Sequence, residues 1–184
     1  MLVEAGLACL ARGGITAFTV DNICREAGAS RGLITHHFGS KDGLLAAVYA
    51  TMYDRLMAAI APPGTPEPAL VELVAANFAP EVFNSDSLKI WLALWGEIAN
   101  NEALRNVHRR RYVEFRASVS RAIAAEAGAR GRSVDADAVA VMFIALSDGV
   151  WLEQGIDPEM LSPAAAREAC FGMLEAFLGP LPRP

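Results

Sequence analysis

Residues 19–45, TVDNICREAGASRGLITHHFGSKDGLL, decide the fold of this chain. Two short helical patterns flank Gly28-Ala29, and a third begins at Ser40. Thr19 suits an N-cap, because its hydroxyl accepts a free backbone N–H of the opening turn. Val20, Ile23 and Ala27 recur at helical spacing and give the first pattern one apolar face. Gly28 stands where the helix must stop in a left-handed turn that glycine adopts cheaply. Ser30 is expected to cap again, with Ile34 and Phe38 facing inward. Arg31, Gly32, Leu33, Thr35 and His36 then lie on or near the outward side. Helix, glycine turn and second helix with a polar outer face read as a helix-turn-helix.

The order of Thr19, Ile23, Ala27-Gly28, Ser30, Gly32, His37-Phe38, Ser40-Lys41 and Leu44-Leu45 resembles the DNA-binding domain of the tetracycline-repressor (TetR/AcrR) family. A lone A-G-x-S carries little weight, but these positions hold register across 27 residues. The resemblance implies that Thr19, Ser30, Arg31, Gly32, Leu33, Thr35, His36, His37 and Lys41 contact DNA. Arg31 suits guanine, since a guanidinium donates two hydrogen bonds to O6 and N7. Leu33 suits a thymine methyl and Thr35 a base edge, whereas His36, His37 and Lys41 stand where relatives touch phosphates. Thr19 and Ser30 add hydroxyl or N–H contacts at helix starts. Many relatives carry aromatic residues at positions 35 and 36. Thr35 and His36 here imply a different operator.

The 184 residues are 53% hydrophobic and 20% charged, with mean hydropathy +0.28. A soluble monomer is seldom so apolar, so a subunit interface or a ligand cavity is expected to absorb the excess. No uninterrupted apolar run approaches the roughly 20 residues of a membrane-crossing helix, so a span is not expected. MLVEAGLACLARGG lacks a basic opening and is interrupted by Glu4, which disfavours a signal peptide. Cys9, Cys24 and Cys170 lie inside helical patterns and read as reduced thiols of a cytoplasmic protein.

The net charge of −5 does not suit a nonspecific nucleic-acid binder. In residues 1–50, Arg12, Arg25, Arg31 and Lys41 balance Glu4, Asp21, Glu26 and Asp42. Relatives often carry a basic arm before their first helix, and this sequence opens inside that helix.

The remaining pattern is helical throughout. Leu2, Leu7 and Leu10 predict a first helix ended by Gly13-Gly14. A fourth runs from Ser40 to the loop Pro62-Pro63-Gly64, and a fifth covers Ala69 to Phe78. Asn84-Ser85-Asp86 is a cap cluster for a sixth, Leu88 to Asn100. Glu102 to Ala127 predicts a seventh helix, Asp135 to Gln154 an eighth, and Ser162-Pro163 opens a ninth with Ala166, Cys170, Met173 and Phe177 in one stripe. The predicted fold is all-α with about nine helices, because no period-two strand pattern appears. Residues 1–45 form the expected DNA-binding domain and 46–184 the ligand-binding and dimerisation domain. Helices eight and nine are apolar over more than one stripe, which a single neighbour does not require. In the family this resembles, they pair with their copies as a four-helix bundle.

Asn77-Phe78, the run Leu88 to Trp95, and Asp148 to Leu152 resemble the choline-responsive repressor branch of that family. Trp91 and Trp95 share a helix face. With Phe78 and Trp151 they offer a cage for a quaternary ammonium, held over ring faces and balanced by Asp148 or Glu97. Core or interface packing of the same tryptophans is the alternative. Arg109-Arg110-Arg111 spans about 200° of helix and cannot form one patch, so solvated pairing with Glu114 or Glu102 is expected. Adjacent His36 and His37 diverge by about 100°, which excludes a shared metal.

No catalytic residue set, phosphate loop, metal or cofactor motif is present in the sequence. The reading is a cytoplasmic, homodimeric repressor of a palindromic DNA operator, released when a small molecule enters the C-terminal domain. An all-α small-molecule-binding protein or enzyme with a vestigial head is the alternative.

Overall fold

The computed structural model describes residues 1–61 and 68–183. Among them nine helices occur and no strand: α1 (Leu2–Ala17), α2 (Val20–Ala27), α3 (Arg31–Phe38), α4 (Lys41–Ile60), α5 (Leu70–Asn77), α6 (Ser85–Ile98), α7 (Glu102–Ala129), α8 (Ala136–Ile156) and α9 (Pro163–Leu178). The expected Pro62-Pro63-Gly64 loop lies outside the described residues. Contacts divide the chain into two compact units, Met1–Arg55 with Asn84–Arg111, and Leu56–Phe83 with Tyr112–Pro184.

In the first unit, α1 packs on α2 and α6, and α2 on α3. The helical pattern of α1 breaks at Gly13 and Gly14, the latter with φ +60°, before one more turn to Ala17. Leu7, Leu10, Phe18, Ile23, Ile34, Leu44, Leu45 and Val48 are all buried. Thr19 caps α2 through its side chain, which accepts the Asn22 N–H at 3.2 Å. Ser30 holds the capping position of α3, but its hydroxyl makes no capping bond, so the expected second side-chain cap is corrected to a backbone one. Ser40 caps α4 by accepting the Gly43 N–H at 3.0 Å. A Cβ on Gly43 would collide with the Phe38 carbonyl oxygen, so this turn closes only around glycine.

α6 begins at Ser85, earlier than Leu88, because Asn84 accepts the Ser87 N–H at 3.0 Å and nucleates the first turn there. Arg111 bonds Asp54 on α4 at 2.6 Å. Arg111 therefore has a partner on another helix besides any pairing within α7.

In the second unit, α9 packs on α8 and α5. Asp135 and Ser162 cap α8 and α9 through their side chains. α8 buries Val139, Phe143, Ile144, Val150 and Trp151, yet exposes Val141, Met142, Leu152 and Ile156. Apolar on two sides, this 21-residue helix contains an 18-residue stretch with a mean hydropathy of 1.4, long and apolar enough by composition to cross a membrane. A partly buried core helix passes the same test, and a count of uninterrupted apolar residues misses it because Ser147, Asp148 and Gly149 punctuate the run. On α9 the buried stripe is Ala166, Cys170, Phe171, Leu174 and Leu178, with Met173 and Phe177 half-buried.

Arg183, beyond α9, is tied back to that helix as well. Arg183 grips both Glu175 oxygens at 2.7 and 3.2 Å and reaches Glu168 at 3.0 Å. Its guanidinium lies 4.4 Å from the Phe171 ring centroid. Arg183 and the Leu181 N–H together hold the Glu175 carboxyl down to about 2. Cys9 and Cys170 are buried, Cys24 is half-buried, and all three are free thiols. Burial pushes the Cys170 thiol up to about 12, which makes it unreactive.

Candidate functional site

The outer face of α3 is built by the turns on either side of it. Gly28, at φ +59°, ends α2, and its N–H reaches the Arg25 carbonyl. Ile34, 2% exposed, pins α3 to the core from below. That single anchor leaves Arg31, Gly32, Thr35, His36 and His37 exposed, with Leu33 half-buried at the edge. Thr19, Ser30 and Lys41 are exposed at the starts of α2, α3 and α4. Of the nine residues singled out for DNA contact, eight are thus exposed and Leu33 half-buried, on α3 or at the helix starts beside it.

Three of the four acidic residues of this region are engaged in ion pairs. Glu26 is held by Arg12 at 3.0 Å, Asp21 by Arg31 at 2.5 Å, and Glu4 by Arg55 at 2.7 Å. Its acidic groups are thus largely committed to neighbouring guanidinium groups. Lys41 forms no ion pair among the described residues. His36 and His37 rings meet edge to face, centroids 4.8 Å apart, and no group of metal-binding side chains occurs among the described residues.

The aromatic residues expected to form a cage divide between the two units. Trp91 and Trp95 belong to the first. Their shared face makes them pack on each other, centroids 5.7 Å apart and planes 30° off parallel. Tyr49 and Tyr53 meet Trp91 edge to face at 5.5 and 5.2 Å. A caged cation lies within about 6 Å of each ring centroid, and the space between Trp91 and Trp95 is filled by the rings themselves. Trp91 is 4% exposed, so its role in the fold is core packing, whereas Trp95 is half-buried.

Phe78, Asp148 and Trp151 belong to the second unit. Phe83 joins two of them, touching Phe78 at 5.2 Å and Trp151 at 5.1 Å. Asp148 sits on α8 where the buried arc meets the exposed apolar stripe. Its residue surface remains solvent-exposed, but the chain packed around it raises the carboxyl pKa to about 6 by desolvation. Glu97 is half-buried on α6, in the first unit.

Two residues that the sequence reading passed over stand out. Gln154, 7% exposed, is buried one turn after Trp151, and its Oε1 finds no donor among the described residues. Asp21 pairs with Arg31. Gln154 was legible as a polar residue at a helical spacing from Val150 and Trp151. Asp21 was read only for its charge.

Residues 2–48 match the family described as bacterial regulatory proteins, tetR family. Residues 66–179 match the family described as BetI-type transcriptional repressor, C-terminal. The HTH-type transcriptional regulator BetI of Burkholderia mallei is 31% identical over 97% of this chain and 92% of its own length. The BetI regulator of Paraburkholderia xenovorans is 32% identical over 90% of this chain and 85% of its own. Among solved structures, a transcriptional regulator from Pseudomonas aeruginosa PAO1 superposes with a TM-score of 0.82 at 35% identity, covering 95% of this chain and 87% of that one. A Saccharomonospora viridis regulator crystallised with choline shares the fold, with a TM-score of 0.74 at 21% identity over 95% and 93% of the two chains. The chain belongs to the tetR family of bacterial transcriptional regulators and carries the BetI-type repressor C-terminal region.

Proposed function

We propose that this chain represses transcription as a homodimer, reading a two-fold symmetric operator and releasing it when a small cation binds. The observation that carries the DNA part is the single-sided anchoring of α3. Ile34 is its one buried residue, and the opposite face offers Arg31, Thr35 and His36. Arg31, Leu33 and Thr35 then meet base edges, with Gly32 allowing close approach of the helix start. Thr19, Ser30, His36, His37 and Lys41 meet phosphates. Two copies bind adjacent major grooves on one side of the duplex. The exposed Val141, Met142, Leu152 and Ile156 of α8 supply the self-complementary surface that a two-fold dimer requires.

For the effector, the choline seen in the Saccharomonospora relative supports a quaternary ammonium. In this chain Asp148 supplies the countercharge, Trp151 and Phe78 the aromatic wall, and Gln154 Oε1 an acceptor for a ligand hydroxyl. The self-packed Trp91 and Trp95 favour a second reading, a flatter apolar effector stacked on Trp95 in place of a caged cation.

A mobility shift with DNA from upstream of the chain's own gene, with and without choline, tests the proposal. A shifted band that choline dissolves is expected. No shift with that DNA or with any fragment from a random-sequence selection would overturn the repressor reading. A band that choline leaves intact but a flat aromatic compound dissolves would favour the second effector reading.

A further inference from the structure

Asp21 and Arg31 form an ion pair on the surface that the proposed function assigns to DNA. The Asp21 carboxylate lies 2.5 Å from Arg31 Nη2, and the two side chains are 66% and 74% exposed. Asp21 is the second residue of α2, and Arg31 is the first of α3. A carboxylate there is costly to a DNA-binding surface, because the phosphates that approach α2 and α3 carry the same charge. For helix stability alone, any acidic residue in the first turn of α2 would serve, paired or not.

We infer that Asp21 is a specificity-determining residue: it aims the Arg31 guanidinium at one base pair and penalises binding in any register that leaves it uncompensated. The chemistry follows from the shape of guanidinium. Arg31 has five N–H donors in a planar fork. A single carboxylate oxygen engages Nη2, and whichever hydrogen it takes, one parallel donor pair stays intact for a base edge. An unsupported arginine at this exposure samples many rotamers and binds phosphate as readily as base. Held from α2, its fork is fixed in direction, which favours the parallel acceptors of guanine over a phosphate. Where no base receives that fork, Asp21 meets the backbone as an uncompensated negative charge and weakens the complex. Discrimination therefore arises from attraction in one register and repulsion in the others.

This inference rests on the reading of Arg31 as a base contact, and the test separates the two. The intact protein and the variants Asp21→Asn, Asp21→Glu, Arg31→Ala and Asp21→Asn/Arg31→Ala are titrated at one salt concentration. The probes are the operator, every single-base-pair variant of it, and an unrelated duplex. Circular dichroism establishes that each exposed-site variant is folded. Arg31→Ala is expected to relax one base pair by about ten- to a hundredfold. Asp21→Asn should relax the same base pair by about tenfold while binding the unrelated duplex as well as or better than the parent. The double variant should match Arg31→Ala, and Asp21→Glu should recover part of the discrimination. Full discrimination at that base pair in Asp21→Asn, or one uniform shift across all sequences, overturns the inference while the Arg31 reading stands. If Arg31→Ala relaxes no base pair, the base-contact reading falls and the inference falls with it.

Discussion

The Tyr49 hydroxyl and His108 Nδ1, 59 residues apart in sequence, share a hydrogen bond of 2.7 Å. Tyr49 is fully buried in α4, and its ring meets those of Tyr53, Trp91 and His108. The bond ties α4, which follows α3 after a short turn, to α7. Burial holds the His108 pKa below its ordinary value. As pH falls below about 6.5, the unfolded chain takes up a proton at this position that the native state resists. Stability is therefore expected to decline with acidity through that window. Tyr49→Phe should cost about 1–2 kcal/mol at neutral pH. Thermal melting across a pH series checks both statements, and an unchanged midpoint in Tyr49→Phe would remove this bond from the account of stability.

Gly43 sets the entry into α4. Because a Cβ there meets the Phe38 carbonyl oxygen, which belongs to the backbone and cannot rotate away, Gly43→Ala must displace α3 from α4. Operator affinity is expected to fall at least tenfold, since a misplaced reading helix loses its base contacts together. The second unit contains no part of this turn, so light scattering should still report the parent's oligomeric state. Full operator binding by Gly43→Ala would show that the turn relaxes elsewhere.

Lys41 stands at the start of α4, exposed and outside any ion pair among the described residues. Lys41→Ala is expected to weaken all DNA sequences alike and to lower the log–log salt slope by about one unit. A sequence-dependent effect would mean that Lys41 reads bases.

The helix-turn-helix was legible because its signals are local. Thr19, Gly28 and Ser40 act within one turn of themselves, and Ile23 and Ile34 mark a periodic face. Cap chemistry was less legible. Ser30 has the right residue type but leaves its hydroxyl outside the helix, whereas Asn84 starts α6 a turn earlier than the apolar pattern suggests. The shared face of Trp91 and Trp95 was readable, but spacing cannot distinguish a wall from a stack. That distinction depends on Tyr49 and Tyr53, which approach from α4. Ion pairs such as Arg31–Asp21 and Arg111–Asp54 depend on tertiary approach and leave no periodic trace.

The dimer reading places its interface on the exposed side of α8. Met142 is 47% exposed and Ile156 63%, so neither is needed to hold the subunit together. Met142→Glu should leave the melting of the isolated subunit almost unchanged yet shift the chain toward monomer, because an unpaired charge at an interface is strongly penalised. Sedimentation at micromolar concentration separates the outcomes. A dimer of parental affinity would place the interface elsewhere.

Asp148 makes the most demanding prediction. Its carboxyl titrates at about 6 instead of its ordinary 3.8 because the surrounding chain desolvates it. Well below pH 3.8 both the folded and unfolded states are protonated there, and no penalty arises. As pH rises through the interval from 3.8 to about 6, the unfolded chain ionises first and native stability is lost. Asp148→Asn should therefore melt higher than the parent at neutral pH and alike in acid. A bound cation reverses the burden, since it stabilises the carboxylate that desolvation disfavours. Choline affinity is thus expected to rise as pH passes through about 6, with proton release on binding, and to become weak and insensitive to pH in Asp148→Asn. Calorimetry in buffers of different ionisation enthalpy measures the released protons directly. Affinity that stays flat across this range would remove Asp148 as the countercharge. No heat at millimolar choline at any pH would remove the quaternary ammonium, leaving the flat apolar effector as the reading to pursue.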